Sequence, residues 1–439
     1  MKINKINLKS NFIYLLLGIL LHSSCSSTKE LETAFNEAEV FEQGYHGFAL
    51  YDPEKQEMVY EHNSEKYFTP ASNTKLFTFY TGLKLLGDSI PGLKYAVSND
   101  SLIFWGTGDP SFLNPDLPDS KILEFLKSRQ EKLFYMPPKY EIPHFGSGWA
   151  WNDYNAYYSV EKSAFPIYAN RVEFEFTPGN PNPKIHPSYF ENSIEKDSLL
   201  DHFQMVKRDI DSNIFSIKNF ERDEPYTQQV PFKHSPELLA ELLSDTLKKA
   251  VKVIREKPKQ ASVDIKLYSV FSDSIYKRML EVSDNFIAEQ ILLLAAGEIS
   301  DTLKSEIAIK EMKERYLKDL PDDPKWVDGS GLSRYNLFTP RTMIRLLEKI
   351  KNEVPQERLF NLLATGGKSG TLKNSYKAVE PYIFAKTGTL RNNHSLSGYL
   401  KAKSGKIFIF SFMNSNYTVT SSNLRFEMQR IMRMVYENY

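Results

Sequence analysis

The sequence predicts an α/β fold of the α+β type, in which an antiparallel sheet is flanked by helices and carries a β-rich insertion. Strand-like segments lie near both ends of the chain, and helical periodicity dominates from about residue 232 to residue 352. Between the N-terminal strand-like segments and this helical region lies a stretch rich in proline, asparagine and aromatic residues. It is too long for a loop in one compact domain. We therefore predict a main domain at 45–89 and 232–439, with an inserted β-rich domain at 90–231.

The N-terminal segment has the pattern of an export signal. Three lysines within the first nine residues precede the apolar stretch 12–21, which is too short to span a bilayer and suits a signal peptide. Cys25 follows, and its position resembles the lipidated cysteine of bacterial lipoproteins. We predict a signal peptide at 1–24, a lipidated N-terminus with a tether at 25–44, and a periplasmic, membrane-anchored protein. The alternative is an ordinary signal peptide followed by a chance cysteine.

The main domain begins with two strands and a helix. Residues 46–52 and 57–63 alternate apolar and polar side chains around a turn, which predicts a strand pair. Pro70 ends the extended segment, and a helix is predicted to begin near Ser72. Its apolar residues recur every three or four positions, namely Leu76, Tyr80, Leu83 and Leu86.

The insertion opens with a predicted hairpin at 94–106 and an amphipathic helix at 119–133. Helical patterning returns at 234–251, where Ser235 can cap the helix and Pro236 fits its first turn. Further helices are predicted at 272–280, 285–297, 301–318 and 339–352. Three consecutive antiparallel strands follow at 382–388, 395–402 and 406–414, and a closing helix ends the chain.

The first motif with possible chemistry is Ser72-Asn73-Thr74-Lys75, at the predicted helix start. Residues three positions apart share a helix face, so the Ser72 hydroxyl can meet the Lys75 amine. A serine needs a base to become a nucleophile, and a lysine serves as one only if burial and nearby cations lower its pKa. Alone, the pattern is more often a capped helix with a solvated lysine.

The second motif is Ser-Asp-Asn at 283–285, between two predicted helices. A turn there can aim Ser283 and Asn285 in the same direction. The serine can then relay protons, and the asparagine can hold a lysine and a substrate amide. Alone, this motif is more often a helix cap or a turn.

The third motif is Lys-Thr-Gly-Thr at 386–389, near the end of a predicted strand. Lys386 and the Thr387 hydroxyl can bind a carboxylate. Gly388 lacks a side chain, so a substrate backbone can lie against this strand edge. The backbone N–H groups of Thr389 and Ser72 can form an oxyanion hole.

Other function classes lack support in the sequence. The 55 basic and 55 acidic residues balance, which does not favour a nucleic-acid-binding face. The eight histidines include no His-Glu-x-x-His motif for a catalytic metal. The Gly-Gly-Lys-Ser at 366–369 is not a phosphate-binding loop, because Leu362 stands where the first glycine is required. We predict no cofactor and no nucleic-acid partner.

Together and in this order, the three motifs resemble those of the penicillin-binding protein 4 type of D-alanyl-D-alanine carboxypeptidases and endopeptidases. The resemblance runs from about residue 45 to the end, patchily through 160–230. It implies a serine β-lactamase/penicillin-binding-protein transpeptidase-like fold. Four further segments are similar to elements of that family, at 106–112, 148–158, 327–336 and 366–372.

The resemblance also implies roles for the motif residues. Ser72 is then the acylated nucleophile and Lys75 its base. The implied reaction attacks the D-Ala-D-Ala or cross-link peptide bond of peptidoglycan stem peptides, and water releases the acyl-enzyme. β-Lactams would acylate the same serine. The remaining implied catalytic residues are Ser283, Asn285 and Lys386, and the implied substrate-binding residues are Thr387, Gly388 and Thr389.

Two other functions stay open on the sequence alone. A class A β-lactamase shares the motifs, but it would be shorter and would lack the insertion and the 327–336 segment. A catalytically inactive cell-wall-binding lipoprotein on the same scaffold is the second alternative, because a fold does not prove an activity. We expect Asp328 and Ser330 to shape a loop near the cleft. The preference for carboxypeptidase or endopeptidase action also stays open.

Overall fold

A computed structural model describes residues 28–118, 120–197, 205–218 and 223–439. The predicted signal peptide and Cys25 lie outside these described residues. None of the helices in the described ranges combines the length and the apolar character needed to cross a bilayer.

The chain forms a mixed α/β structure with antiparallel sheets and flanking helices, which confirms the predicted fold class. After helical residues 28–37, the helices are Lys75–Leu85 (α1), Lys121–Ser128 (α2), Pro236–Leu247 (α3), Ser272–Glu281 (α4), Asn285–Ile299 (α5), Ser305–Glu311 (α6), Pro340–Glu353 (α7), Gln356–Leu362 (α8) and Ser421–Asn438 (α9). The strands are Tyr45–Asp52 (β1), Glu57–His62 (β2), Ser89–Ser98 (β3), Ser101–Gly106 (β4), Lys132–Tyr135 (β5), Arg171–Phe176 (β6), Lys184–His186 (β7), Ile194–Lys196 (β8), Val206–Arg208 (β9), Phe215–Ile217 (β10), Tyr226–Pro231 (β11), Val251–Val253 (β12), Ile265–Phe271 (β13), Ala364–Thr365 (β14), Ile383–Leu390 (β15), Asn393–Lys401 (β16) and Ile407–Ser415 (β17).

The main sheet joins the two ends of the chain. Its six strands run in the order β14-β15-β16-β17-β1-β2, and every neighbouring pair is antiparallel. Alternate residues of β17 face opposite sides, so Ile409 and Met413 pack with α1, α4, α5 and α7, whereas Phe410 and Phe412 pack under α9. The sheet is therefore covered on both faces, and its apolar strands are buried along most of their length.

The segment predicted as a tether is instead docked on the sheet from residue 28 onward. Residues 28–37 are helical, and Leu31, Ala34, Phe35 and Ala38 are buried in the core beneath α9. Their spacing of three, four and seven positions gives one apolar helix face, which burial against the sheet stabilises. The prediction of a polar tether at 25–44 is wrong for this docked part.

The inserted region contains a five-stranded sheet in the order β12-β5-β4-β3-β13 and two three-stranded sheets. Its core includes the buried leucines of α3, among them Leu239 and Leu243. Strand β13 pairs antiparallel with β3, so the chain leaves this sheet only at Phe271. The boundary predicted at residue 231 therefore falls too early, because non-local strand pairing keeps 232–271 with the insertion.

Candidate active site

Ser72 lies in a short 3-10 turn, Ala71–Thr74, which leads directly into α1. Neighbouring chain segments hold this turn on two sides. The Asn73 side-chain amide donates to the Lys386 carbonyl at 2.9 Å, which ties the turn to β15. On the other side, a Cβ atom on Gly331 would stand 1.9 Å from the Ala71 carbonyl oxygen, so only glycine permits this approach.

Lys75 is fully buried, and its amine lies between three oxygen atoms. Its Nζ lies 2.9 Å from Ser72 Oγ, 2.6 Å from Asn285 Oδ1 and 2.6 Å from the Ser330 carbonyl oxygen. The Asn285 amide nitrogen donates to the Tyr158 carbonyl at 3.0 Å, which turns its oxygen toward Lys75. The structure thus brings the first and second motifs into direct contact.

Burial lowers the pKa of Lys75 to about 8, because removing a cation from water disfavours its charged form. The nearby carboxylates of Asp328, Glu289 and Asp284 oppose this shift and raise the pKa. The amine is therefore close to the balance between its protonated and neutral forms near neutral pH, as a general base requires.

Lys386 joins the third motif to the second. It is fully buried, and its Nζ donates to Ser283 Oγ at 2.9 Å and to the Thr387 carbonyl at 2.7 Å. Ser283 occupies the turn between α4 and α5 with a φ of 68°, a left-handed conformation that few side chains adopt. Burial, and secondarily the charge of Lys75, lowers the pKa of Lys386 well below its ordinary value.

The two threonines of the third motif place hydroxyl groups on β15 beyond its pairing with β14. Thr387 Oγ1 donates to Thr371 Oγ1 at 2.8 Å. Thr389 is exposed, and its hydroxyl lies 2.8 Å from Nδ1 of the buried His394 on β16. Burial lowers the pKa of His394 to about 3, so this imidazole is neutral at working pH. These residues can present hydroxyls to an anionic group of a ligand.

Gly388 also has a packing role that the sequence did not predict. A Cβ atom built on it would lie 2.4 Å from the Pro70 carbonyl oxygen and 2.9 Å from the Ser72 nitrogen. The missing side chain thus makes room for the serine turn, and the contact with a substrate backbone stays a prediction. Close packing of the two backbones keeps Ser72 beside the strand edge.

Gly388→Ala should therefore displace the serine turn. We expect a loss of about 1–3 kcal/mol in the free energy of unfolding, together with slower acylation of Ser72, because the added methyl meets backbone atoms that cannot easily move. Thermal unfolding and the rate of labelling by a fluorescent penicillin measure both effects. Gly87→Ala is the control, since a Cβ there meets nothing within 4 Å. Wild-type stability and labelling in Gly388→Ala would contradict this interpretation.

Asp328 organises the loop that supplies the Ser330 carbonyl. Its two oxygens accept hydrogen bonds from the Gly331 and Ser333 backbone N–H groups and from the side chains of Asn336 and Trp149, at 2.7 to 2.9 Å. Trp149 comes from the inserted region. The expected loop-shaping role of Asp328 agrees with these contacts, and the insertion helps to build the site.

Sequence reasoning missed several residues that the structure places at the site. It predicted no contact for the Ser330 carbonyl, Glu289 or Thr371. One signal was available, because Glu289 and Gln290 interrupt the apolar run of α5, and Glu289 stands four residues after Asn285. The described part of the chain has no cluster of three or more histidine, cysteine, aspartate or glutamate side chains arranged to hold a metal ion.

The comparisons with known proteins agree with this geometry. A D-alanyl-D-alanine carboxypeptidase of Haemophilus influenzae is 24% identical over 413 residues, covering 85% of this chain and 86% of that protein. The crystal structure of penicillin binding protein 4 from Haemophilus influenzae superposes with a TM-score of 0.74 at 19% identity, covering 93% of this chain and 99% of that one.

A second structure of that penicillin binding protein 4, complexed with a β-lactam, superposes with a TM-score of 0.71 at 19% identity and with the same coverage of both chains. These structural likenesses show the fold. The family match shows more than the fold, because it extends over residues 27–435 and so includes all three motifs. The chain belongs to the D-Ala-D-Ala carboxypeptidase 3 (S13) family.

Proposed function

We propose that this protein is a serine-type D-Ala-D-Ala carboxypeptidase or endopeptidase that cleaves peptidoglycan stem peptides through an acyl-enzyme at Ser72. The observation that carries the proposal is the buried Lys75 amine, 2.9 Å from Ser72 Oγ and surrounded by acceptors. The family match over residues 27–435 supports the same reaction class. β-Lactams are then expected to acylate the same serine.

The contacts of Lys75 support its role as the base that activates Ser72. A neutral amine has two N–H groups and one lone pair. The Asn285 side-chain oxygen and the Ser330 carbonyl, both at 2.6 Å, can take the two N–H groups. The lone pair is then directed at the Ser72 hydroxyl, ready to accept its proton.

The proposed reaction proceeds in two steps. Ser72 Oγ forms a bond to the scissile carbonyl carbon while its proton passes to Lys75. The carbon–nitrogen bond then breaks, and that proton leaves with the departing amine. In the second step water adds to the ester carbonyl carbon, the bond from that carbon to Ser72 Oγ breaks, and the shortened peptide leaves as a carboxylic acid while Oγ regains a proton. The backbone N–H groups of Ser72 and Thr389 are the proposed donors to the oxyanion.

Substrate binding is assigned to the edge of β15. The carboxylate of a terminal D-alanine would meet the hydroxyls of Thr387 and Thr389, with Lys386 behind them. Burial lowers the pKa of Lys386, and a bound carboxylate would raise it again by favouring the charged form. The site therefore gains positive charge when an anionic substrate arrives.

We further propose that the protein is exported and attached to a membrane through Cys25. The basic N-terminus, the apolar segment 12–21 and the cysteine that follows support this proposal. Cys25→Ser should then release the protein from the membrane fraction of a bacterium that expresses it. Retention of this variant on the membrane would argue against lipidation.

Digestion of purified muropeptides tests the main proposal. Release of free D-alanine from pentapeptide stems indicates carboxypeptidase action, and conversion of cross-linked dimers to monomers indicates endopeptidase action. An inactive wall-binding protein would produce neither change. A β-lactamase would hydrolyse penicillin rapidly and leave the muropeptides intact.

The rate of acylation should rise with pH and level off above the pKa of Lys75, which is about 8. Only the neutral amine can accept the Ser72 proton, so each pH unit below the pKa should lower the rate about tenfold. Pre-steady-state labelling by penicillin from about pH 6 to about pH 9 measures this profile. A rate that stays constant or falls over this range would contradict the role of Lys75 as the base.

A further inference from the structure

Helix α5 presents two polar side chains toward Lys75. Asn285 and Glu289 are four residues apart and so lie on the same face of the helix. Asn285 contacts the Lys75 amine directly at 2.6 Å. Glu289 lies one turn further along and reaches the same amine through a single intervening residue, Ser330.

Ser330 is fixed at both ends of its backbone. Its N–H donates to Glu289 Oε1 at 2.7 Å, and its carbonyl accepts from Lys75 Nζ at 2.6 Å. The preceding residue is equally constrained, because a Cβ on Gly329 would lie 2.5 Å from the Ala288 carbonyl oxygen. The Glu289 carboxylate thus anchors the loop at the point where it delivers an acceptor to the base.

The environment of Glu289 is unusual for a carboxylate that serves packing alone. It is 1% exposed, and within the described ranges its second oxygen, Oε2, has no hydrogen-bond partner. Lys162, from the inserted region, lies 4.0 Å from that oxygen. Burial, and then the charge of Asp328, raises the pKa of Glu289 to about 7, while Lys162 and the Ser330 N–H lower it.

We propose that Glu289 is a positioning residue for the acylation step, because through the Ser330 backbone it fixes the Lys75 amine against Ser72. Its negative charge also favours the protonated form of that amine. This inference rests on the proposed function. The charged groups near Lys75 are Asp328, Glu289 and Asp284, which favour its protonated form, and Lys386, whose own pKa is lowered by the charge of Lys75. Among them only Glu289 also holds Ser330.

A buried carboxylate that only stabilises the fold would behave differently. Its removal would lower the unfolding temperature but would leave the acylation rate of the folded protein and its pH profile unchanged. The plateau rate and the midpoint of the profile therefore separate the two roles. The plateau reports the position of the amine, and the midpoint reports its basicity.

The test compares Glu289→Ala, Glu289→Gln and the control Glu298→Ala in the full chain. Glu298 is a carboxylate near the far end of the same helix, where it pairs with Lys266. Penicillin acylation rates are measured across the pH range, with thermal unfolding in parallel. We expect Glu289→Ala to lower the plateau rate by about 10- to 100-fold, because misplacing a catalytic group has an effect of this size.

Glu289→Gln keeps an acceptor for the Ser330 N–H and should recover most of the plateau rate. Both Glu289 variants lose the negative charge that raises the pKa of Lys75, so their midpoints should move to lower pH. Glu298→Ala should keep the wild-type profile.

A folded Glu289→Ala with the wild-type plateau and midpoint would overturn the proposal. If that variant does not fold, Glu289→Gln with wild-type rates at every pH would overturn it instead. Absence of any label on the wild-type protein would refute the proposed function, and this inference would fail with it.

Discussion

Ser72→Ala should abolish covalent labelling by penicillin and lower muropeptide cleavage by about 10⁴-fold or more, as removal of a catalytic nucleophile typically does. Without the Oγ atom there is no group to form the ester, while Lys75 keeps its contacts with Asn285 and Ser330. The loss should therefore be chemical and not structural. Mass spectrometry of the penicillin-treated protein and product analysis of muropeptide digests measure the two effects.

Ser404→Ala is a matched control for the loss of a serine hydroxyl. Ser404 is an exposed turn residue between β16 and β17, and its hydroxyl accepts only a long bond of 3.4 Å from the Lys406 N–H. This variant should label at the wild-type rate. Label that persists on Ser72→Ala would contradict the assignment of Ser72 as the nucleophile, because another residue would then carry the acyl group.

Lys75→Met should slow acylation by about 10²- to 10⁴-fold, the range expected when a general base is removed. Methionine has a similar length and suits a buried site, but it cannot accept the Ser72 proton. It also leaves the part-buried Asn285 side-chain oxygen and the buried Ser330 carbonyl without their donor, and the buried acceptor alone costs about 1–3 kcal/mol. The rate of penicillin labelling and the unfolding temperature should both fall.

Two comparisons separate the chemical loss from the structural one. Lys84→Met changes a lysine on the same helix that pairs with Glu353, and it should label normally. Slow labelling should persist in Lys75→Met over long incubations, since Ser72 is intact, whereas Ser72→Ala should show none. A Lys75→Met protein that acylates at the wild-type rate would show that another group takes the serine proton.

The local parts of the site could be predicted from the sequence. The spacing of Ser72 and Lys75 places both on one face of a helical segment, independently of the rest of the chain. In the structure, Lys75 Nζ lies 2.9 Å from Ser72 Oγ. The three strands near the C-terminus were also predictable, because their apolar runs are long and bounded by turn residues. They form β15, β16 and β17, paired in sequence order.

The predictions from sequence failed where contacts between distant segments determine the structure. A tether was predicted at 25–44, although Leu31, Phe35 and their neighbours form an apolar face that docks on the sheet. The boundary at 231 missed the pairing of β13 with β3, which are about 170 residues apart in the chain. The packing of Gly388 against the Pro70 carbonyl was missed, because this contact exists only in the folded chain.

The sequence by itself determined which residue types stand at the site and how those within one motif are spaced, because helix and strand geometry repeats over a few residues. Tertiary structure alone decided the chemical state of Lys75. Its lowered pKa comes from burial, and the position of its amine comes from contacts with Asn285 and Ser330, which lie 210 and 255 residues away in the chain. Both depend on contacts between distant segments, because desolvation and hydrogen bonding are properties of the packed interior and not of the local sequence.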